Sequence, residues 1–361
     1  MIRRVLMTAD AVGGVWTYAL ELARALSERN VAVLLAVMGP APTAQRRQLA
    51  EQIPNLVLEH QPFALEWQDR PWAEVHQAGE WLQSLESRWR PDLVHLNGYV
   101  HASCNFEAPR VVVAHSCVCS WHQSVHGQAA PSKWATYRRK VRAGLVAADA
   151  VIAPTRWMLD QLEEHYGPQH HAEVIANART ATGFRVARKE AFVFAAGRAW
   201  DEAQNLFALD RAAKELAWPV MIAGATGQAQ PFEDSHLLGE LETSELSGWL
   251  ARASIYALPA KYEPFGLSVL EAALSGCALV LGDLPSLREN WGDAAVFVDP
   301  REPAQLSATL RRLIEAPALR REWAGRALER AQKFTPRAQA DAYLAAYESA
   351  AVRAGRPACA S

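Results

Sequence analysis

Short apolar runs alternate with stretches of helical period along nearly the whole chain, and few folds accommodate that alternation. Residues 5–7 and 31–37 read as strands around a helix over 15–28, which sets Val15, Ala19, Leu22 and Leu26 on one face. Further strands are predicted over 92–96, 110–114, 149–153 and 173–176, with helices over 72–89, 132–147 and 155–166. Residues 177–190 read as a linker, after which the pattern restarts. Strands are predicted at 192–196, 220–223, 255–258, 278–281 and 295–298, and helices near 204–216, 267–275, 304–315 and 319–334. Thr335-Pro336 then breaks the pattern before one last helix. Strands and helices in this order build parallel sheets covered on both faces. The expectation is an α/β protein of two Rossmann-like, doubly wound domains facing an inter-domain cleft. The domains would span 1–180 and 190–335, with a closing segment at 336–361.

Composition narrows the function classes. Half of the 361 residues are hydrophobic and 21% charged, enough for a large packed core. Lys and Arg total 37 against 39 Asp and Glu, so no general basic field exists to hold nucleic acid. No run approaches the ~18 apolar residues of a membrane-spanning helix, and Asp10 ends the first apolar stretch too early for a signal peptide. Five cysteines (Cys104, Cys117, Cys119, Cys277 and Cys359) are too few for a disulfide scaffold. The expected setting is reduced and cytoplasmic.

Several segments could carry chemistry. Gly13-Gly14, between the first strand and first helix, could turn tightly and bring backbone amides to an anion; it could equally serve only the turn. The G-x-G-x-x-G dinucleotide pattern is absent here. At 260–277, AKYEPFGLSVLEAALSGC, a loop after a strand leads into a helix near Leu267. Amides around Phe265, Gly266 and Leu267 would form an anion cradle, with Glu271 able to hold a ribose diol and Glu263 the hydroxyls of a second ring. The plainer alternative leaves Glu263 on the helix dipole and Glu271 solvated. His115, Cys117, Cys119, His122 and His126 form the densest polar cluster. Its C-x-C spacing suits zinc poorly, and His115, past a strand's carboxyl end, suits an acceptor pocket. Trp16, Trp121 and Trp200 fall near loops where a sugar could stack, whereas Trp81, Trp89 and Trp249 fall at core spacings. Lys133, Arg138, Arg139, Lys140 and Arg142 make a basic run at 132–142, read either as a solvated face or as a surface for anionic lipid or phosphate.

From Glu263 to Glu271, E-P-F-G-L-S-V-L-E resembles the E-x7-E motif of the retaining glycosyltransferases of family 4. GGVWTYALELARAL from Gly13, VVVAHS ending at Ser116, ADAVIAPTRWML from Ala148, AAGRAWDEAQN from Ala195 and LLGELETSELSGWLARASIYALPA resemble other family segments, in the family's order. The resemblance implies the GT-B fold and retaining transfer of a sugar from a nucleoside diphosphate sugar. It implies no required metal or cofactor, and a C-terminal helix crossing back to the first domain. Glu263 would contact donor-sugar hydroxyls, Glu271 the ribose, and the backbone of Phe265, Gly266 and Leu267 the diphosphate or sugar. Arg198 would neutralise the diphosphate, Gly13-Gly14 would close over it, and His115 would lie beside donor sugar and acceptor. Catalysis would thus rest on His115, Glu263 and Arg198. Trp16, Trp121, His122 and His126 would stand on the acceptor side, the acceptor itself being saccharide, lipid-linked or small. Contact of the 132–142 helix with the inner membrane face would fit a cytoplasmic protein.

Two departures stand out. Gln204 occupies the place where family members usually carry Lys, and Asn177-Ala178 stands where Asn-Gly is common. Ala11 and Val12 replace the Lys found before the paired glycines in glycogen and starch synthases. Two other readings follow: a catalytically weak, nucleotide-sugar-binding partner subunit, and a GT-B sugar-nucleotide epimerase.

Overall fold

The computed structural model describes residues 1–225 and 232–355, so Cys359 and the end of the 336–361 segment lie outside the described residues. The chain forms two compact units. One comprises Met1–Gln123, Gln128–Asn177 and the segment from Pro336; the other comprises Ser124–Gly127 and Ala178–Thr335.

The first unit contains β1 (Arg4–Asp10), α1 (Gly14–Ser27), β2 (Ala32–Met38), α2 (Ala44–Glu51), β3 (Leu56–Gln61) and α3 (Trp72–Trp89). After these come β4 (Leu93–Leu96), β5 (Arg110–Val113), α4 (Val118–His126), α5 (Ala135–Ala147), β6 (Ala150–Ala153), α6 (Arg156–Tyr166) and β7 (Ala172–Val174). Its seven strands run β3-β2-β1-β4-β5-β6-β7, each neighbouring pair parallel. The central strands are mostly apolar and buried, as a sheet covered on both faces requires, with Thr8 of β1 and His95 of β4 as buried polar exceptions. β3 reads Leu-Val-Leu-Glu-His-Gln because it is an edge strand with one neighbour, and its side chains are half exposed.

The second unit contains β8 (Glu190–Ala196), α7 (Leu206–Ala213), β9 (Val220–Ala223), β10 (His236–Gly239), α8 (Thr243–Arg252) and β11 (Ala253–Leu258). It continues with α9 (Leu267–Leu274), β12 (Ala278–Gly282), α10 (Pro285–Trp291), β13 (Val296–Val298), α11 (Pro303–Glu315) and α12 (Pro317–Ala331). Its six strands run β10-β9-β8-β11-β12-β13, all parallel. The last helix, α13 (Pro336–Arg353), belongs to the first unit, where Arg29, just past α1, pairs with Asp341 at 2.6 Å.

Both sheets reverse direction of growth at one point, between β1 and β4 and between β8 and β11. Loops at the carboxyl ends of such strands diverge and leave room for ligands. Gly13 and Asn97 follow β1 and β4, whereas Arg198 and Glu263 follow β8 and β11.

Candidate functional site

In the second unit, backbone bonds bring the β8 and β11 loops together: the Lys261 amide donates to the Ala203 carbonyl at 2.8 Å. Gln204 is thereby set beside Glu263, its Nε2 donating to Glu263 Oε2 at 3.4 Å. Gly197 makes room, because a Cβ there would stand 2.4 Å from Gln204 Oε1. Asn205, in the left-handed region at φ 54°, donates to the carbonyls of Pro259 and Pro300 and pins the β11 and β13 loops. From α10, Ser286 donates to the Glu263 carbonyl and Asn290 to that of Phe265. The Tyr256 hydroxyl bonds both the Ala196 carbonyl and Ser268, tying β8 to the start of α9.

Glu263 Oε1 accepts from the Gly266 amide at 2.9 Å and lies 3.5 Å from that of Phe265. The amides expected to cradle an anion therefore hold this carboxylate. Gly266 caps α9 at φ +88°, a conformation in which a side chain would press on Val269. Burial raises the Glu263 carboxyl above the usual range, against the bond from Gln204, the charge of Arg198 and the two amides. Leu267 opens α9, partly exposed.

Arg198 is 43% exposed at the side chain, donates to the buried Asp201 carboxylate at 2.7 Å and lies against Trp200 at 5.6 Å. Trp200 itself is 44% exposed. Glu271 is not solvated. It is buried and paired at 2.8 Å with Arg179. The pairing went unread because the two residues lie far apart in the chain. Neither Asn177 nor Ala178 takes a positive φ, so the glycine usual after Asn is not needed here.

In the first unit, β4, β5 and β1 position a polar chain. His115 Nε2 lies 2.8 Å and His95 Nε2 3.0 Å from Asn97 Oδ1, and Asn97 Nδ2 donates to the Thr8 carbonyl at 2.7 Å. His95 Nδ1 meets the Tyr347 hydroxyl of α13 at 2.6 Å. Burial, with His95 nearby, pushes the His115 pKa down to about 3, and burial takes His95 to about 4. His115, Asn97 and Glu66 share one cavity of about 120 Å³. Glu66 escaped the sequence reading, since a lone Glu between Leu65 and Trp67, outside any motif, carries no signal. Its carboxylate accepts from the Tyr99 and Val100 amides, and burial pushes its pKa up to about 7.

Other expectations need correction. Trp16 is 4% exposed in the packed face of α1, so no sugar can stack on it. Gly13 lies at φ −158°, an extended conformation open to any residue, so no left-handed turn demands it. Gly14 is the first residue of α1. Of the cluster expected as a pocket, His115 and Cys117 line the cavity, whereas Cys119, His122 and His126 lie in helix α4. Cys117 and Cys119 are buried, and Cys117 Sγ lies 3.0 Å from Ser120 Oγ. Trp121 and His122 are partly exposed in edge contact at 5.0 Å, and His126 is exposed. Among the described residues, no three His, Cys, Asp or Glu side chains are grouped to hold a metal.

The glycosyltransferase family 4 model matches residues 12–179 and the glycosyl transferases group 1 model residues 186–330. Among solved structures, sucrose-phosphate synthase from Thermosynechococcus elongatus superposes with TM-score 0.82 at 16% identity, over 96% of this chain and 98% of that one. Anabaena HepE in complex with UDP-glucose gives TM-score 0.76 at 17% identity, over 96% and 99%. The fold is GT-B. The two family matches, one in each unit, indicate a GT-B protein of the glycosyltransferase family 4 type. Among curated relatives, glycogen synthase of Mycobacterium tuberculosis is 28% identical over 67% of this chain and 65% of its own length, so the aligned part spans just under two thirds of that relative. D-inositol 3-phosphate glycosyltransferase 1 of Catenulispora acidiphila is 25% identical over 95% of this chain and 92% of its own.

Proposed function

We propose that the protein transfers a sugar from a nucleoside diphosphate sugar to an acceptor hydroxyl, with retention at the anomeric carbon and without a metal. In this reading the anomeric C–O bond breaks and the diphosphate leaves with the electron pair. The acceptor oxygen bonds the anomeric carbon on the same face and its proton passes to the departing phosphate. Cations and amides fixed where that charge develops lower the barrier. The convergence of Arg198, Gln204 and Glu263 at the start of α9 carries the reading. Arg198 would meet the diphosphate, and Glu263 would meet the donor-sugar hydroxyls beside the amides of Phe265 and Gly266. The pair Glu271–Arg179 would close the ribose side. The likeness to HepE, solved with UDP-glucose, supports a nucleotide-sugar donor.

A ligand of the folded state raises melting temperature by mass action, so UDP, GDP and ADP identify the donor base by thermal shift. Turnover of the matching nucleotide sugar with cell extract as acceptor source, read by proton NMR of the product's anomeric signal, tests transfer and retention together. An inverted product overturns retention, and an epimer formed from donor alone identifies an epimerase. One observation favours the weak partner-subunit reading: Gln204 brings no charge and the Asp201 carboxylate partly neutralises Arg198. Binding without turnover in any extract establishes it.

No helix among the described residues is long and apolar enough to cross a membrane. Arg138, Arg139 and Arg142 are exposed on α5 with no carboxylate partner among the described residues, which supports peripheral contact with an anionic membrane surface. Co-sedimentation with phosphatidylglycerol vesicles but not phosphatidylcholine vesicles is the expected result.

A further inference from the structure

The first-unit cavity has a charge character that its hydrogen bonds define. Asn97 Nδ2 donates to the Thr8 carbonyl, so the amide cannot be turned the other way. Its Oδ1 therefore faces His95 Nε2 and His115 Nε2, and an amide oxygen only accepts. Both imidazoles must carry their proton on Nε2. The Tyr347 hydroxyl then donates to His95 Nδ1, and His115, which lines the cavity, keeps a bare lone pair on Nδ1. Glu66 adds a carboxylate whose oxygens meet the Tyr99 and Val100 amides and retain further lone pairs. Asp10 adds another, held by the Val12 amide.

The ionisable groups lining this cavity are carboxyls, imidazoles, phenols and a thiol; among the described residues no Lys or Arg lines it. Burial drives the imidazoles toward the neutral form, His101 to about 4 and His115 to about 3. At neutral pH the walls thus carry zero or negative charge. Cations exist in the same unit, but Arg138, Arg139 and Arg142 line a separate groove. A phosphate entering the cavity would meet the carboxyls of Asp10 and Glu66 and, among the described lining residues, no Lys or Arg, whereas hydroxyl groups would find acceptors waiting.

We propose that this cavity selects an uncharged, hydroxyl-rich acceptor over a phosphorylated one, with His115 Nδ1 and Glu66 as its hydrogen-bond acceptors. The proposal rests on the transferase reading and adds the acceptor class to it. The test uses the full chain labelled with 15N at histidine and its His115 signals. The expected spectrum at neutral pH shows a protonated Nε2 and a bare Nδ1; the opposite tautomer, or an imidazolium, overturns the proposal. Millimolar inorganic phosphate is expected to leave those signals unmoved, and a shift with phosphate overturns it.

Matched pairs, glucose with glucose 6-phosphate and myo-inositol with D-inositol 3-phosphate, and the neutral sugars mannose and maltose are then titrated. At least one neutral sugar or polyol is expected to perturb His115, and, in its pair, on the order of tenfold more tightly than its phosphorylated partner. No response to any neutral compound, or tighter binding of the phosphorylated member, overturns the selection. Glu66→Gln keeps an acceptor but removes the charge, so it is expected to narrow the discrimination; unchanged discrimination overturns the role of Glu66. Thermal shift with UDP, GDP and ADP on the same sample reports on the second unit. Failure there counts against the transferase reading and leaves the His115 result standing.

Discussion

Gln204 can give Glu263 a hydrogen bond but cannot give a departing diphosphate a charge. A charge-assisted contact in its place is worth ~1.5–3 kcal/mol, or about ten- to a hundred-fold in rate if expressed in the transition state. Gln204→Lys is therefore expected to raise turnover of the donor by that factor, measured under saturating nucleotide sugar. An unchanged rate with normal donor affinity means that another cation already serves. A second residue-scale prediction concerns Glu271. Removing one member of a buried ion pair leaves the other charge unpaired, at a cost of about 3–5 kcal/mol. Glu271→Ala is expected to lose stability on that scale in urea denaturation, because Arg179 stays buried, and to bind nucleoside diphosphate more weakly. Full stability in the variant would contradict the pairing. The sequence shows Glu271 and Gln204 as motif positions. It does not show Arg179 against Glu271, which are far apart in the chain, or Asp201 against Arg198, which depends on how the single loop after β8 folds back on itself.

At the scale of elements, α5 presses on the turn Val100–Ser103 so closely that a Cβ at Gly144 would stand 1.9 Å from the Tyr99 carbonyl oxygen. Alanine is the better helix former by about 1 kcal/mol, but a backbone overlap must push the two elements apart. Gly144→Ala is expected to lose roughly 1–3 kcal/mol by chemical denaturation; a gain would mean that α5 stands off the turn. Such approaches are invisible in sequence, where Gly144 looks like a helix defect. What periodicity did reveal were the buried elements: α3 runs Trp72–Trp89 and α9 starts at Leu267, as the patterns indicate. The edge strands β3 and β10 went unread because an edge strand need not be continuously apolar. The short helices α2 and α10 also lacked enough turns to show a period.

At the scale of the molecule, buried titratable groups in the first unit set a pH dependence. His95 and His101 have pKa values near 4 and His115 near 3, each lowered by burial from 6.5. Between these values and 6.5 the unfolded chain binds more protons than the native one, so each contributes stability above pH 6.5 that is lost as pH falls toward 4. Glu66 acts in the opposite sense. Its pKa is raised from 4.5 to about 7, so its contribution is complete below 4.5 and is lost as pH rises through 7. Three groups outweigh one, and the melting temperature is expected to fall between pH 6.5 and 4.5, less steeply than the histidines alone would dictate. Glu66→Gln removes the opposing contribution. Relative to the parent, the variant is expected to melt higher at pH 8 than at pH 5, because only at high pH does the parent bear a buried carboxylate charge. Its stability must also fall more steeply on acidification. Parallel curves for the two proteins would place Glu66 in water rather than in the cavity wall.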